Sequence, residues 1–139
     1  MAIESFVLDS YAVLALLGRE TGSEVVAELL RKARDAEAHV MMTWVNAGEV
    51  AYIIERRYGV EHLYTALAMI DATTLEIVPV ERELTLLAAH IKAEHAIAYA
   101  DAFATALAQR HAAKLVTGDP DFKLLEGIVS ILWLPQPEP

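Results

Sequence analysis

The sequence predicts an α/β protein with three layers, in which a mostly parallel sheet carries helices on both faces. Short runs rich in branched and aromatic residues alternate with longer stretches whose apolar residues recur at helical spacing. Such alternation is typical of βαβ units, which cover both faces of a parallel sheet. The length of 139 residues and the lack of a repeat or long linker indicate one domain over residues 1–134, followed by a loose tail over residues 135–139.

Five segments have the composition of strands. The run Phe6-Val7-Leu8 is short and apolar, as expected of a buried strand, and Pro79 ends the third segment. Because helical segments separate these runs, we expect the strands to run mostly parallel. The predicted strands are 5–8, 40–43, 75–79, 114–117 and 129–132.

Six segments have apolar residues at helical spacing. Gly18 and Gly59 follow the first and third of them, and glycine commonly ends a helix. Ser23 is the predicted N-cap of the second, and Asn46 and Glu49 have the spacing of a capping box at the third. The predicted helices are 10–17, 23–36, 46–58, 61–72, 81–93 and 99–112.

The composition excludes several classes of protein. Hydrophobic residues make up 55% of the chain, which is ample for a core and excludes a disordered chain. No apolar run approaches the roughly 18 residues of a membrane span, and the first residues lack the basic region of a signal peptide. The absence of cysteine excludes a disulfide framework and a thiolate metal site. We therefore expect a cytoplasmic protein.

The charge argues against a non-specific nucleic-acid binder. Twenty acidic residues against 11 Lys and Arg give a net charge of −9, whereas binding to phosphates favours a basic protein. A metal ion or a local basic patch would have to offset the repulsion. The acidity also suits a basic partner. The candidates for guiding RNA are Arg19, Arg56, Arg57, Arg82 and Lys123.

Four acidic residues lie where predicted strands give way to helices, or in the first turns that follow. Asp9 closes the first strand, Glu49 follows the second, and Asp119 follows the fourth. Asp101 lies early in an alanine-rich helix. Parallel strands bring their carboxyl ends to one edge of the sheet, where such folds place their sites. Because Mg²⁺ and Mn²⁺ prefer oxygen ligands, the four acids predict a divalent metal site.

Each acid also has a purely structural interpretation. Asp9 could stabilise the helix that follows it, and Glu49 could belong to the capping box. Asp119 precedes Pro120, as an N-cap precedes proline at the first helical position. Capping alone does not explain why a second acid, Asp121, lies beside Asp119.

Four short motifs, in their order along the chain, resemble those of the PIN domain family. They are Asp9-Ser10, Asn46-x-x-Glu49, Tyr99-Ala100-Asp101-Ala102 and Thr117-Gly118-Asp119-x-Asp121-Phe122. More narrowly, the chain resembles the VapC ribonuclease toxins of toxin–antitoxin pairs from Ile3 to Trp133. This resemblance implies a five-stranded PIN-like sheet, an endoribonuclease dependent on Mg²⁺ or Mn²⁺, a homodimer and a cognate VapB-type antitoxin.

The resemblance also implies roles for particular residues. The catalytic acids would be Asp9, Glu49, Asp101 and Asp119, and the metal-binding residues Asp9, Asp101 and Asp119. Asp9 and Asp101 are expected to contact the metal directly, whereas Asp119 and Glu49 would act through water or orient the nucleophile. The helper residues would be Ser10, Thr117 and Asp121.

The implied reaction is hydrolysis of phosphodiester bonds in RNA. The alternative is a PIN-fold module that binds RNA or protein without turnover, which the scarcity of basic residues favours. The presence of all four acids favours the nuclease. We also expect the acidic cleft to accept a Lys or Arg of the antitoxin, with apolar faces of helices 23–36 and 46–58 supplying a groove for the partner.

Overall fold

Five strands run parallel to one another in a single sheet, which confirms the predicted fold class. The strands are β1 (Glu4–Leu8), β2 (Ala38–Thr43), β3 (Glu76–Val78), β4 (Lys114–Thr117) and β5 (Ile131–Trp133). Their spatial order is β3-β2-β1-β4-β5, so that β1 lies at the centre, and every neighbouring pair is parallel. The computed structural model describes residues 3–138, so Met1 and Ala2 of the predicted domain and Pro139 of the predicted tail lie outside it.

Helices connect the strands and cover both faces of the sheet. They are α1 (Ser10–Leu17), α2 (Ser23–Arg34), α3 (Trp44–Tyr58), α4 (Val60–Asp71), α5 (Arg82–Glu94) and α6 (Tyr99–Arg110), with a 3₁₀ helix over Pro120–Leu125. Helices α1 to α4 pack on one face, whereas α5, α6 and the 3₁₀ helix pack on the other. No helix within residues 3–138 is long and apolar enough to cross a membrane.

The sheet separates two apolar cores. Along β1, Phe6 and Leu8 point into the core formed with α1 to α4, and Val7 points into the core formed with α5 and α6. Met42 and Met41 of β2 divide in the same way. Because both faces of the central strands are buried, these strands are continuous apolar runs rather than alternating ones.

The start of α3 differs from the prediction, and the difference matters for the site. The N-cap is Thr43, whose Oγ1 accepts a hydrogen bond from the Asn46 backbone N–H at 3.0 Å. Asn46 is therefore the third residue of the helix, and Glu49 lies in its second turn. The predicted capping box of Asn46 with Glu49 is wrong, because the helix begins two residues earlier than its apolar spacing indicates.

Two glycines with positive φ shape the turns around α2 and α3. Gly59 ends α3 as predicted, with φ 93° and its N–H donated to the Glu55 carbonyl at 2.8 Å. Gly22, with φ 96°, precedes α2 in the position predicted for Ser23, which is instead the first helical residue. The left-handed backbone suits glycine, which has no β-carbon to clash.

Candidate active site

Asp9 lies at the carboxyl end of the central strand and is buried, with 2% of its surface exposed. Its Oδ1 accepts a hydrogen bond from the Ala12 backbone N–H at 2.9 Å, so Asp9 is the N-cap of α1. Its Oδ2 accepts a hydrogen bond from Thr117 Oγ1 at 2.5 Å. The structural interpretation of Asp9 is thus correct, but capping requires only the bond to Ala12. It does not require burial or the bond from the end of β4.

Burial raises the pKa of Asp9 from 3.8 to about 7, because the charged carboxylate loses its hydration. The hydrogen bonds from Thr117 and Ala12 oppose this rise, and the negative charges of Asp101 and Asp119 add to it. An ionised Asp9 is therefore unfavourable in the protein alone. A cation beside the carboxylate would favour its charged form.

Asp101 lies in the first turn of α6 and is half-buried. Burial is the largest cause that raises its pKa, again to about 7. The next causes are the negative charges of its neighbours, which are Asp119, Glu49 and Asp121. A backbone hydrogen bond at Ala98 opposes the rise. The structure thus places all four predicted catalytic acids within one electrostatic neighbourhood, together with Asp121.

The donor atoms of this neighbourhood are carboxylate and hydroxyl oxygens, which suit a hard divalent cation. Within residues 3–138, no three His, Asp or Glu side chains converge as a ready ligand set. Mg²⁺ keeps several of its waters and binds through as few as one or two carboxylates, so the donor chemistry fits such an ion. The assignment of Asp9, Asp101 and Asp119 as metal ligands stays a prediction.

The hydroxyl of Thr117 connects the first and last acidic motifs. Besides donating to Asp9, its Oγ1 accepts a hydrogen bond from the Asp119 backbone N–H at 3.0 Å. Asp119 in turn caps the 3₁₀ helix, accepting from the Asp121 N–H at 2.9 Å, which confirms its predicted capping role. Thr117 is fully buried, so both of its bonds are shielded from water. It therefore holds the backbone of Asp119 against the carboxylate of Asp9.

Asn46 joins three segments of the site, a role that the sequence reasoning missed. Its Nδ2 donates to the Ala100 carbonyl at 3.1 Å and to Ser10 Oγ at 3.4 Å. Its Oδ1 accepts from Thr43 Oγ1 at 2.6 Å, and Ser10 Oγ donates to the Asn46 carbonyl at 3.3 Å. Asn46 thus ties the residue after Asp9 to the residue before Asp101. An amide three residues after a buried strand was the available signal, because a buried amide needs several partners.

Gly118 allows an aromatic ring to lie directly against the loop after β4. A β-carbon at this position would lie 2.6 Å from Tyr11 Cζ and 2.9 Å from its hydroxyl oxygen. Only glycine leaves room for that ring. Tyr11 comes two residues after Asp9, and Gly118 comes directly before Asp119. The ring therefore borders the acidic neighbourhood on the side of α1.

Comparison with known protein families identifies the family of the chain. The model of the PIN domain matches residues 6–128. The chain belongs to the PIN domain family. No curated protein sequence matches the chain significantly.

Solved structures share the fold of this PIN domain over nearly its whole length. VapBC2 from Rickettsia felis, bound to a DNA fragment from its promoter, matches with a TM-score of 0.76 and 15% identity, covering 94% of this chain and 99% of that one. DNA-bound VapBC from Salmonella typhimurium matches with 0.71 and 15%, covering 94% and 98%. VapC20 from Mycobacterium tuberculosis, a sarcin-ricin loop cleaving toxin, matches with 0.70 and 21%, covering 94% and 99%. At these identities the likeness establishes the fold alone.

Proposed function

We propose that this PIN domain is a metal-dependent endoribonuclease and the toxin of a VapBC-type toxin–antitoxin pair. One observation carries the proposal: Asp9 and Asp101, at the carboxyl edge of the sheet, both have a pKa raised to about 7 in a shared field of acids. Strongly perturbed carboxyl groups at the place where a parallel sheet gathers its sites are typical of functional residues.

The chain's own residues have distinct tasks in this proposal. Asp9 and Asp101 hold Mg²⁺ or Mn²⁺, and Thr117 keeps the Asp9 carboxylate in one orientation. Glu49 and Asp119 orient the attacking water. A bound divalent ion supplies acidified water and screens the negative charge that develops on the phosphate. Without a cation, the crowded acids would repel the phosphodiester.

The partner belongs to the same proposal. The structures from Rickettsia felis and Salmonella typhimurium are VapBC complexes of the same fold, which supports a VapB-type antitoxin for this chain. The homodimer is part of the proposal and follows from the resemblance to VapC toxins. The alternative, a PIN-fold module that binds RNA or protein without turnover, is favoured by one observation. No three acidic or histidine side chains of residues 3–138 form a ready ligand set.

The test is RNA cleavage by the purified chain in millimolar Mn²⁺ or Mg²⁺. We expect wild type to cut RNA, and we expect EDTA, Asp9→Asn or Asp101→Asn each to abolish cutting. Asp71→Asn is the matched control, since Asp71 is exposed at the end of α4 and takes no part in the site. Wild type that binds RNA with no metal-dependent cleavage would support the binding module and refute the nuclease.

A further inference from the structure

A cleft beside the acidic neighbourhood gathers positive charge in a chain that is otherwise acidic. It lies between α1, the turn that follows it and the end of α3, and has a volume of about 600 Å³. Its polar lining residues are Tyr11, Arg19, Glu20, Thr21 and Arg57. Two arginines against one glutamate make this cleft locally positive, whereas the whole chain carries −9.

The five basic residues that the sequence analysis named as candidates for guiding RNA have different positions and partners in the structure. Arg56 is the immediate neighbour of Arg57 in the chain but does not line the cleft. Its guanidinium stacks over the ring of Tyr52, 5.2 Å from the ring centroid. Arg82 pairs with Glu83. Lys123 lies outside the cleft, on the 3₁₀ helix. Of the five candidates, Arg19 and Arg57 share one cleft.

Both arginines of the cleft are free to bind a ligand. Each is exposed, and among residues 3–138 neither forms an ion pair, even with Glu20 in the same cleft. Arg19 also has φ 52°, a left-handed conformation that glycine would adopt with less strain. Ala36 and Ala112 have the same conformation two residues after the ends of α2 and α6, so it is a geometry that ends helices. The exposure of Arg19 and Arg57 and their lack of an ion pair make them available to a ligand.

The cleft adjoins the acidic residues through Tyr11. This residue lines the cleft, and its ring packs against Gly118, which directly precedes Asp119. Tyr11 therefore lies between the acidic residues and the two arginines, and it borders both.

We propose that Arg19 and Arg57 form a phosphate subsite for the RNA backbone, which holds a second phosphate of the strand that is cleaved at the acids. The subsite rests on the proposed ribonuclease function. The guanidinium groups bind phosphate oxygens through paired charge-assisted hydrogen bonds. This local attraction offsets the repulsion between an acidic chain and a polyanion, and it fixes which phosphate lies at Asp9 and Asp101.

The test compares two double variants that remove equal charge. Arg19→Gln with Arg57→Gln removes the proposed subsite. Arg34→Gln with Arg56→Gln removes the same two charges from exposed positions that are already paired or stacked. Binding of a fluorescent single-stranded oligoribonucleotide is followed by anisotropy in Mn²⁺ over a range of salt. The Asp101→Asn background prevents cleavage during the measurement.

We expect the subsite variant to weaken RNA binding on the order of tenfold at about 0.1 M salt. The slope of log affinity against log salt should become shallower by about 0.7, because each phosphate neutralised on a single strand contributes about 0.7. The control variant should show a loss of RNA binding free energy less than half of that shown by the subsite variant. With Asp101 intact, the subsite variant should raise KM more than it lowers kcat, because the contact is made in substrate and transition state alike.

Two outcomes would overturn the subsite while leaving the nuclease proposal intact. In the first, the subsite variant and the control variant bind RNA with equal affinity. In the second, the subsite variant loses binding to a poly-glutamate peptide but keeps the RNA affinity of wild type. The second outcome would assign the cleft to an acidic protein segment. Wild type that neither binds nor cuts RNA in Mn²⁺ would refute the proposed function and the subsite together.

Discussion

Replacing Asp9 with Asn should make the metal-free protein more stable above neutral pH. The pKa of Asp9 is about 7 in the folded chain against an ordinary value of 3.8, a difference of about 3 units, or about 4 kcal/mol at 1.36 kcal/mol per unit. The folded state binds the proton more tightly than the unfolded state. Stability is therefore highest below the unfolded pKa and falls as pH rises through the folded one.

The size of the effect follows from these two values. Between about pH 5 and about pH 8, ionisation of Asp9 should lower the free energy of unfolding by about 2.5 kcal/mol. Asn at position 9 still accepts a hydrogen bond from Ala12 and can donate one to the Thr117 hydroxyl, but it carries no charge. The variant should equal wild type in stability only below the unfolded pKa of 3.8, and should exceed it by about 1.5 kcal/mol near pH 5 and by about 4 kcal/mol near pH 8. Because the pKa of Asp101 is also raised to about 7, the stability of both wild type and the variant keeps some dependence on pH.

The assay is urea unfolding in EDTA at both pH values, with a check that the dependence on urea concentration is unchanged. Asp71→Asn serves as the control, because Asp71 is exposed and should leave the pH dependence as it is in wild type. If Asp9→Asn and wild type lost the same stability between the two pH values, Asp9 would not be a buried carboxyl with a raised pKa.

Four further results are expected. Millimolar Mn²⁺ should raise the thermal midpoint of wild type by several degrees near pH 8, since an ion that binds only the folded state stabilises it, and an unchanged melting curve would contradict the metal site. Gly118→Ala should reduce the unfolding free energy by about 1–3 kcal/mol because its β-carbon meets the Tyr11 ring, and Tyr11→Leu in the same chain should recover part of this loss in urea titrations. Asn46→Ala should weaken Mn²⁺ binding by about 10- to 100-fold in calorimetry, as for other residues that position ligands, whereas unchanged affinity in a folded variant would show that Asn46 serves packing alone. A basic peptide from the C-terminal half of the proposed antitoxin should bind less tightly as the Mn²⁺ concentration rises, and binding that does not change with Mn²⁺ would place the partner away from the acids.

The elements were predictable because their signals are local. The strand over residues 114–117 and the helix over residues 10–17 were predicted with the bounds that the structure has. Runs of branched residues and apolar residues at helical spacing depend only on near neighbours. Boundaries set by backbone geometry were missed, as at Gly22, because a left-handed turn leaves no clear pattern in the sequence.

The meeting of the acids also followed from sequence, by way of topology. Once the strands are parallel, their carboxyl ends lie at one edge, so residues that follow different strands are brought together. Asp9 and Asp119 meet for this reason. The topology does not predict the environment of each carboxyl group. The burial of a carboxyl group depends on how the helices on both faces of the sheet pack at this edge.

Contacts between distant residues were decided by the tertiary structure alone. Thr117 and Asp9 are 108 residues apart, and Asn46 and Ala100 are 54 apart, yet each pair shares a hydrogen bond. The burial that raises the pKa of Asp9 likewise depends on the packed fold. The sequence by itself determined the parallel sheet and which acids would line its edge, because both follow from local patterns and chain direction. Only packing decided which of those groups are buried and which are joined, because these properties arise between segments that no local pattern connects.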